Sequence, residues 1–357
     1  MTTPRSVLAI GGAGFIGSNL ADAFLRSGAR VTVYDNFSRP GALANAGWLR
    51  RRHARSLRIV RGDIRRARGR LGRLVDDADL VIHNAGQVAV TTSVEDPRAD
   101  FEINAAGTLE ILEAIRASRR RPPLIFSSTN KVYGALDGVA TRRVGPRYAF
   151  TNAKHGIAED SPLDFHSPYG CSKGAADQYV LDYARIYGLR TVVFRKSCIY
   201  GPRQFGVEDQ GWVAWFTIAA VHRYPITIYG DGRQVRDVLF IEDLVQAYLA
   251  AWRRIDTAAG QAFNIGGGAR NTLSLLELLQ LLRELTGNPV PVKHEDWRPG
   301  DQKIFVSGIA KARKLLHWQP VIAPADGVSR LLAWVRANAD LFRDFGKPRR
   351  RRATASG

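Results

Sequence analysis

The sequence is poor in cysteine and has no long uncharged apolar run. Two cysteines, Cys171 and Cys198, occur among 357 residues, which excludes a disulfide framework, and no His, Cys and carboxylate cluster has the spacing of a metal site. No segment approaches the ~18 uncharged residues of a membrane-spanning helix. The first residues, MTTPRSVLAIGG, lack the regions of a secretory signal. We therefore expect a cytoplasmic protein with neither a metal ion nor a membrane partner.

Acidic residues are also scarce, since 33 Asp and Glu face 52 Lys and Arg and leave a net charge of +19. Such a charge favours nucleic acid or other anionic partners. The arginines are nevertheless spread along the chain, and the densest runs, WLRRRHARSLRIVRGDIRRARGR and KPRRRRATASG, are typical of a surface and a tail. We expect the charge to attract anionic small substrates, with nucleic acid not a principal partner.

The first half alternates short β-branched runs with amphipathic segments. This pattern is typical of β-α-β units, and 45% hydrophobic residues can fill a sizeable core. We predict an α/β fold with a Rossmann-type doubly wound parallel sheet and a smaller C-terminal lobe. The predicted strands are 6–11, 30–35, 57–63, 79–85, 123–128 and 190–195.

A long helix is predicted to begin near Ser167. Ser167 can cap this helix, Pro168 suits its first turn, and Gly188 stands where a C-terminal cap belongs. Further helices are predicted at 101–115, at 272–285, where leucines on most faces indicate burial, and at 328–342.

A glycine-rich turn, GGAGFIG, follows the first predicted strand and opens a helix. Gly11, Gly14 and Gly17 allow a tight turn whose backbone amides can approach a pyrophosphate. Asp35 ends the second strand, where its carboxylate can bind ribose hydroxyls and repel a 2′-phosphate. This favours NAD over NADP, although Arg39 nearby leaves that preference open. Further candidate cofactor contacts are Phe15, Ile16, Asn36, Asp63, Ile64, Ala85, Gly86 and Gln87.

Tyr169 and Lys173 are four residues apart, so both side chains leave the predicted helix on one face. A tyrosine with a pKa of about 10 is a poor base at neutral pH unless a cation stabilises its phenolate, and Lys173 can supply that cation. A hydroxyl cluster, Ser127-Ser128-Thr129, ends the fifth predicted strand. We take Thr129, Tyr169 and Lys173 as the candidate catalytic residues.

The glycine turn, Tyr169-x-x-x-Lys173 and the strand-end SST together resemble the extended short-chain dehydrogenase/reductase family, which contains NAD-dependent sugar-nucleotide epimerases and dehydratases. The resemblance covers nearly the whole chain. It implies that Thr129 holds the sugar oxygen being oxidised, that Tyr169 removes its proton and that NAD takes the hydride. It also implies cofactor-side roles for Asn104 and Lys196.

The residues after Thr129 are Asn130 and Lys131. Relatives that dehydrate their sugar carry Asp and Glu there as acid and base, roles that an amide and an ammonium do not fill. The Cys that GDP-sugar reductase-epimerases place nearby is absent as well. Oxidation and re-reduction at one carbon, which is epimerisation, is the expected reaction.

Longer motifs, SSTNKVYG, RQFGVEDQGWVAWF, GDGRQVRDVLF and FNIGGG, resemble those of CDP-paratose 2-epimerases, also called CDP-tyvelose epimerases. The resemblance implies a CDP-linked dideoxyhexose that reacts at carbon 2. It also implies that Arg236 and Arg298 hold the diphosphate, for which a guanidinium is suited. Further candidate substrate contacts are Gln87, Thr129, Asn130, Cys198, Gln204 and Trp212.

Four residues depart from the usual family pattern: Ile10, Asn84, Lys196 and Cys198, the last of which replaces an Asn. They leave the sugar open, so a UDP-sugar 4-epimerase remains an alternative. A non-catalytic NAD-binding protein that binds nucleic acid is the alternative from another class. Relatives pair through helices like that of Tyr169, and we therefore expect a homo-oligomer.

We predict three regions along the chain. Residues 1–195 form the NAD-binding domain that carries the Tyr-x-x-x-Lys helix. Residues 196–345 mainly form a substrate-binding lobe, with some chain crossing back, and residues 346–357 form a basic disordered tail.

Overall fold

The computed structural model describes residues 3–67, 69–152, 155–298 and 301–343. All six predicted strands are confirmed, and their ends shift by two residues at most, because β-branched residues pack well on a buried pleated surface. The strands are β1 (Ser6–Ile10), β2 (Arg30–Asp35), β3 (Leu57–Arg61), β4 (Leu80–His83), β5 (Leu124–Thr129), β6 (Thr141–Val144), β7 (Arg147–Phe150), β8 (Thr191–Lys196), β9 (Cys198–Tyr200), β10 (Ile226–Tyr229), β11 (Val235–Phe240), β12 (Gln261–Ile265), β13 (Thr272–Ser274), β14 (Val292–Glu295) and β15 (Ile304–Phe305).

Helices connect and cover these strands. They are α1 (Phe15–Arg26), α2 (Ala42–His53), α3 (Arg70–Asp76), α4 (Val90–Glu95), α5 (Pro97–Phe101), α6 (Gly107–Ala117), α7 (Ser167–Tyr187), α8 (Trp212–His222), α9 (Ile241–Arg253), α10 (Ile255–Ala258), α11 (Leu275–Thr286), α12 (Ala310–Leu316) and α13 (Pro324–Ala337). Single turns of 3₁₀-helix span Ile64–Arg66, Asn130–Tyr133 and Ala339–Phe342.

The predicted helix boundaries are confirmed most closely in α7. The Ser167 hydroxyl accepts a hydrogen bond from the Gly170 amide at 3.3 Å, and Pro168 lies in the first turn. Gly188 caps the other end with a left-handed φ of 67°.

Three helix predictions need correction. The helix predicted at 328–342 is α13 (Pro324–Ala337), followed by a 3₁₀ turn at Ala339–Phe342, and the first three residues of the helix predicted at 272–285 form β13 instead. The segment 101–115 is not one regular helix, because a π-helical turn, Glu102–Ala106, joins α5 to α6. The leucines of α11 were expected to be buried on most faces, and that expectation is wrong. Only Leu278 and Leu282 are fully buried, because one face of this helix packs on the core.

The central sheet has seven strands in the order β12-β8-β5-β4-β1-β2-β3, and every neighbouring pair is parallel. Alternate residues face opposite sides, so Val7 and Ala9 join one hydrophobic core and Leu8 and Ile10 join the other. The strand order reverses between β1 and β4, which opens a crevice at the carboxyl ends of the strands. The predicted Rossmann-type fold is confirmed.

A second group of strands follows β8. Strand β11 pairs with β9, β13 and β15, and β10 pairs with β14. Strand β12 returns to the central sheet beside β8, which is the kind of crossing that we predicted for the 196–345 region. The boundaries at 195 and 345 stay predictions, and the 346–357 tail lies outside the described residues. Within the described ranges, no helix is both long and apolar enough to cross a membrane.

Candidate active site

The glycine turn lies between β1 and α1. Gly11 has a φ of +76°, and a Cβ there would lie 2.4 Å from the backbone nitrogen of Ala85. Gly14 caps α1 without any side-chain bond to the helix amides. The turn therefore brings two loops into contact and leaves the positive end of α1 open to an anion such as a pyrophosphate.

Asp35 at the end of β2 supports this turn. Its carboxylate accepts hydrogen bonds from the backbone amides of Ala13 at 2.9 Å and Phe37 at 2.8 Å. Burial raises the pKa of Asp35, and these amides oppose the rise. A carboxylate has further lone pairs, so Asp35 can still accept from ribose hydroxyls, as predicted.

Asn36 and Asp63 lie together at the edge of this crevice. The Asn36 amide donates to Asp63 Oδ2 at 3.3 Å, and Arg65 forms a salt bridge with Asp63 at 2.8 Å. The hydrogen bond from Arg65 is the main reason that the pKa of Asp63 falls to about 2. Ile64 is buried in the following 3₁₀ turn.

Asn104 links the loop after β4 to α7. Its side-chain oxygen accepts from the Gln87 amide at 3.0 Å, and its side-chain nitrogen donates to Asp100 at 3.1 Å and Ser172 at 3.1 Å. The π turn that carries Asn104 is a type of irregularity found frequently at functional sites. The Gln87 side chain folds back on the Ala89 backbone. Gly86 is close to Asn104, since an added Cβ would lie 3.0 Å from Oδ1.

Thr129 and Tyr169 meet at the carboxyl end of β5. Burial is the largest cause that raises the pKa of Tyr169 to about 12, and a hydrogen bond with Thr129 opposes it. The Asp100 carboxylate raises the pKa further, and the Arg39 guanidinium lowers it. The structure thus brings together the phenol and the hydroxyl that the sequence predicted.

Lys173 lies on α7 one turn after Tyr169, with its ammonium group against β5. Its Nζ donates to the backbone oxygen of Ser127 at 2.5 Å and lies 4.2 Å from the ring centroid of Phe126. Burial lowers the pKa of Lys173 to about 7, while the Asp177 and Asp100 carboxylates raise it. The stabilisation of the Tyr169 phenolate by Lys173 stays a prediction.

Asp177 is a site residue that sequence reasoning missed. Its carboxylate accepts from Ser128 at 2.6 Å and makes two bonds with Arg195, at 2.9 and 3.0 Å. The spacing Tyr169, Lys173, Asp177 continues one helix face in steps of four, which is the signal that could have identified it.

A second lysine, half-buried, lies beside the first. Lys196 Nζ donates to Ser127 Oγ at 2.7 Å. The hydroxyl of Tyr248 lies 2.9 Å from Ser127 Oγ and 3.0 Å from Asn84 Oδ1, and Ser127 also bonds Asn84. In the described part of the chain, the buried Asn84 Nδ2 has no hydrogen-bond partner, so it is a donor available to a ligand.

The predicted substrate residues fall into two groups. Burial, followed by repulsion from Arg236, lowers the pKa of Lys131 to about 8. Burial raises the pKa of the Cys198 thiol, and the Arg236 guanidinium opposes this rise. The Cys198 Sγ accepts a hydrogen bond from Trp212 Nε1 at 3.4 Å. Arg236 itself pairs with Asp301 at 3.5 Å. Asn130 adjoins this group, and its Oδ1 lies 3.5 Å from Thr129 Oγ1.

Arg298 and Gln204 make other contacts. Arg298 pairs with Asp209 at 3.1 Å and lies 3.7 Å above the Tyr229 ring centroid. Gln204 is buried and donates to the Ile199 backbone oxygen at 3.2 Å. Gln204 therefore supports the loop after β9, whereas Arg298 presents a guanidinium beside an aromatic ring.

The family model described as "NAD dependent epimerase/dehydratase family" matches residues 7–266, which include the glycine turn, Thr129, Tyr169 and Lys173. The chain belongs to this family. NAD is accordingly its cofactor, and the chain is an enzyme of NAD-dependent nucleotide-sugar epimerisation. The tight Gly11 turn, the open end of α1 and the unpaired Asn84 amide are all compatible with a bound dinucleotide.

Individual relatives agree with this assignment. The chain is 46% identical over 335 residues to a CDP-paratose 2-epimerase of Salmonella typhi, covering 92% of this chain and 98% of that protein. The structure of a UDP-glucose 4-epimerase with UDP-glucose from Thermotoga maritima matches with a TM-score of 0.77 and 30% identity, over 94% of this chain and 99% of that one. The structure of a UDP-glucuronic acid 4-epimerase from Bacillus cereus, in complex with UDP-glucuronic acid and NAD, matches with a TM-score of 0.80 and 27% identity. The match covers 93% of this chain and 99% of that one.

Proposed function

We propose that this enzyme converts CDP-paratose to CDP-tyvelose by inverting carbon 2 through a transient 2-keto sugar. The observation that carries the proposal is the 46% identity over 335 residues to the CDP-paratose 2-epimerase. The meeting of Thr129 and Tyr169 at the end of β5 supports it, because the Thr129 hydroxyl can orient one sugar hydroxyl and Tyr169, once its phenol is ionised, can deprotonate it.

In this proposal Thr129 hydrogen-bonds the sugar oxygen and Tyr169 accepts its proton. When bound, NAD would supply the hydride chemistry, as acceptor from carbon 2 and as donor to the opposite face of the same carbon. Tyr169 gives the proton back, so acid and base are the same side chain. Lys173, on the same face of α7, is assigned as the cation that would stabilise the phenolate.

The residues after Thr129 favour epimerisation over elimination of water. Asn130 has no acidic proton to give. The pKa of Lys131, at about 8, keeps it mostly protonated at neutral pH, so it does not replace a carboxylate base. These two positions therefore lack the pair of carboxyl groups that would act as acid and base to expel a second hydroxyl.

The substrate diphosphate is assigned to the positive group formed by Lys131 and Arg236. The charge of Arg236 repels the Lys131 ammonium and lowers its pKa, and the Arg236 side chain is only 13% exposed. An anion between them would relieve their repulsion. Arg298, beside the ring of Tyr229, is the second guanidinium assigned to the diphosphate. Gln87, Asn130, Cys198, Gln204 and Trp212 remain candidate contacts of the sugar and base.

The cofactor is assigned to the crevice at the switch point of the sheet. Gly11, Gly14 and Gly17 would line the pyrophosphate, and Asp35 the adenosine ribose. Lys173 and Lys196 would lie at the nicotinamide end. The remaining assigned contacts are Phe15, Ile16, Asn36, Asp63, Ile64, Ala85, Gly86, Gln87 and Asn104, and the substrate would bind between this crevice and the 196–345 lobe.

The test is to incubate the purified enzyme separately with CDP-paratose and UDP-glucose and to follow epimer formation by NMR. We expect turnover of CDP-paratose and none of UDP-glucose. Turnover of UDP-glucose alone would replace our proposal with a 4-epimerase. If neither sugar reacts and the protein binds RNA or DNA in a salt-dependent manner, the enzyme assignment itself fails.

A homo-oligomer formed through α7 is part of the proposal. Tyr179, Ile186 and Tyr187 are 47%, 62% and 43% exposed on this helix, and exposed apolar residues on one element are typical of an interface. Light scattering of Ile186→Glu should give a smaller species than the wild type. Val321→Glu is the control, because Val321 is 78% exposed outside α7. An unchanged mass for Ile186→Glu would contradict an interface at this position.

A further inference from the structure

The side chains behind the catalytic pair, which are buried except for the half-buried Lys196, carry an excess of positive charge. Lys173, Lys196 and Arg195 are the cations. Asp177 and Asp100 are the carboxylates that act electrostatically on Lys173, and Asp177 also acts on Arg195. Asp177 is already bonded twice by Arg195. Burial lowers the pKa of Lys173 to about 7, and both carboxylates oppose that fall. The pKa of Lys196 is also lowered to about 7, by burial and by repulsion from Lys173.

Both ammonium groups bind the same residue. Lys173 donates to the backbone oxygen of Ser127, and Lys196 donates to its hydroxyl at 2.7 Å. Lys196 pairs directly with Thr129 in the register of β5 and β8, and side chains opposite each other on neighbouring strands lie on one face of a sheet. Lys196 is therefore held beside Thr129 and Lys173, at the carboxyl end of the sheet where the cofactor is assigned.

Neighbouring neutral groups keep Lys196 in this position. Ser127, Asn84 and Tyr248 form a closed set of hydrogen bonds around the Ser127 hydroxyl. Burial lowers the pKa of His83 well below its ordinary value, and both lysines lie close enough to lower it further. His83 is therefore neutral, and its ring adds no further charge.

We propose that Lys196 is a positioning residue whose charge, added to that of Lys173, favours the reduced form of the bound cofactor and so assists the oxidation of the sugar. The physical reason is the change in charge of the nicotinamide. Its ring is positive when oxidised and neutral when reduced, so a fixed cation nearby destabilises the oxidised form. This inference rests on the proposed function, because it uses the assigned position of the cofactor.

The reaction balances without a further reagent. The carbon–hydrogen bond of the sugar breaks, its electron pair leaves with the hydrogen to NAD, and the hydroxyl proton goes to Tyr169. The return step reverses these transfers. Lys196 donates and accepts nothing in either step, so its effect is on the equilibrium between the oxidised and reduced enzyme.

The experiment compares Lys196→Met, which removes the charge at similar length, with Lys196→Arg, which keeps it. The holoenzymes are equilibrated at pH 6.5 with redox couples of known potential, and the reduced fraction is read from the near-ultraviolet absorbance of the reduced cofactor. We expect the equilibrium for Lys196→Met to shift about tenfold toward the oxidised form, which corresponds to about 30 mV for a two-electron couple. Lys196→Arg should retain most of the wild-type potential.

Lys314→Met is the matched control, because Lys314 is exposed on α12. Lys196→Gln serves as a second neutral variant should Lys196→Met fold poorly, as judged by circular dichroism. A wild-type potential in both neutral variants overturns the inference, even if their turnover falls, since a merely structural role would lower turnover without moving the potential. Failure of the wild type to epimerise any sugar would instead count against the proposed function.

Discussion

Arg195 and Asp177 form a two-point ion pair that joins β8 to α7 directly beneath the catalytic cluster. The two bonds measure 2.9 and 3.0 Å, and the side chains are 4% and 0% exposed. Asp177 also accepts from Ser128, the residue before Thr129. The pair therefore fixes the position of the helix that carries Tyr169 relative to the strand that carries Thr129.

Replacing Asp177 by Asn is expected to lower the free energy of unfolding by about 3–5 kcal/mol, because the buried Arg195 would lose its counter-charge. Urea denaturation measures this cost. Asp182→Asn is the control on the same helix, since Asp182 and its partner Arg185 are 47% and 73% exposed. Its effect should stay below about 1 kcal/mol. Equal effects of both variants would show that burial does not decide the strength of these pairs.

Replacing Tyr169 by Phe is expected to lower kcat by about 10²–10⁴-fold, because the variant has no group to exchange the substrate proton. Bound NAD should be retained, as measured by mass spectrometry of cofactor released on denaturation. Tyr179→Phe, an exposed tyrosine of the same helix, should keep wild-type turnover. Substantial activity in Tyr169→Phe would remove Tyr169 from the catalytic role.

Replacing Gly11 by Ala is expected to abolish retention of NAD and to lower the melting temperature. The added Cβ would lie 2.4 Å from the Ala85 nitrogen at a backbone φ of +76°, so both the loop contact and the conformation are lost. Gly72→Ala is the control, because nothing lies within 4 Å of the added Cβ in α3. It should be neutral or slightly stabilising. Normal cofactor content in Gly11→Ala would place the dinucleotide elsewhere.

The pH dependence of stability should report the burial of Lys196. Its pKa is about 7 in the folded protein and 10.5 ordinarily. Below about pH 7 it is protonated in both states, so the full cost of burying its charge is present. Between these values the unfolded chain binds more protons, and stability rises with pH.

Lys196→Met should therefore melt higher than the wild type at pH 6, by a margin that shrinks toward pH 10. Differential scanning calorimetry across this range measures the margin. Lys314→Met should show a constant difference. A margin for Lys196→Met that does not change with pH would show that Lys196 has an ordinary pKa.

Local patterns were sufficient for much of the fold. Alternating β-branched runs identified all six predicted strands of the central sheet, and the Ser167, Pro168 and Gly188 signals bounded α7. The seventh strand, β12, was not predicted, because a short apolar run far along the chain does not reveal which sheet it joins. The π-helical turn at Glu102–Ala106 also escaped prediction. The Asn104 side chain in this turn bonds Asp100 and Ser172, and the second of these contacts reaches a distant helix that the local sequence does not reveal.

Residue chemistry along the chain determined the glycine turn, the spacing of Tyr169 and Lys173, and the lack of a carboxylate after Thr129, because each depends only on near neighbours. Tertiary structure alone decided that Lys196 shares Ser127 with Lys173 and that Asp177 pairs with Arg195. These contacts join separate strands and helices, and their strength comes from burial, which exists only once the sheet has closed over them.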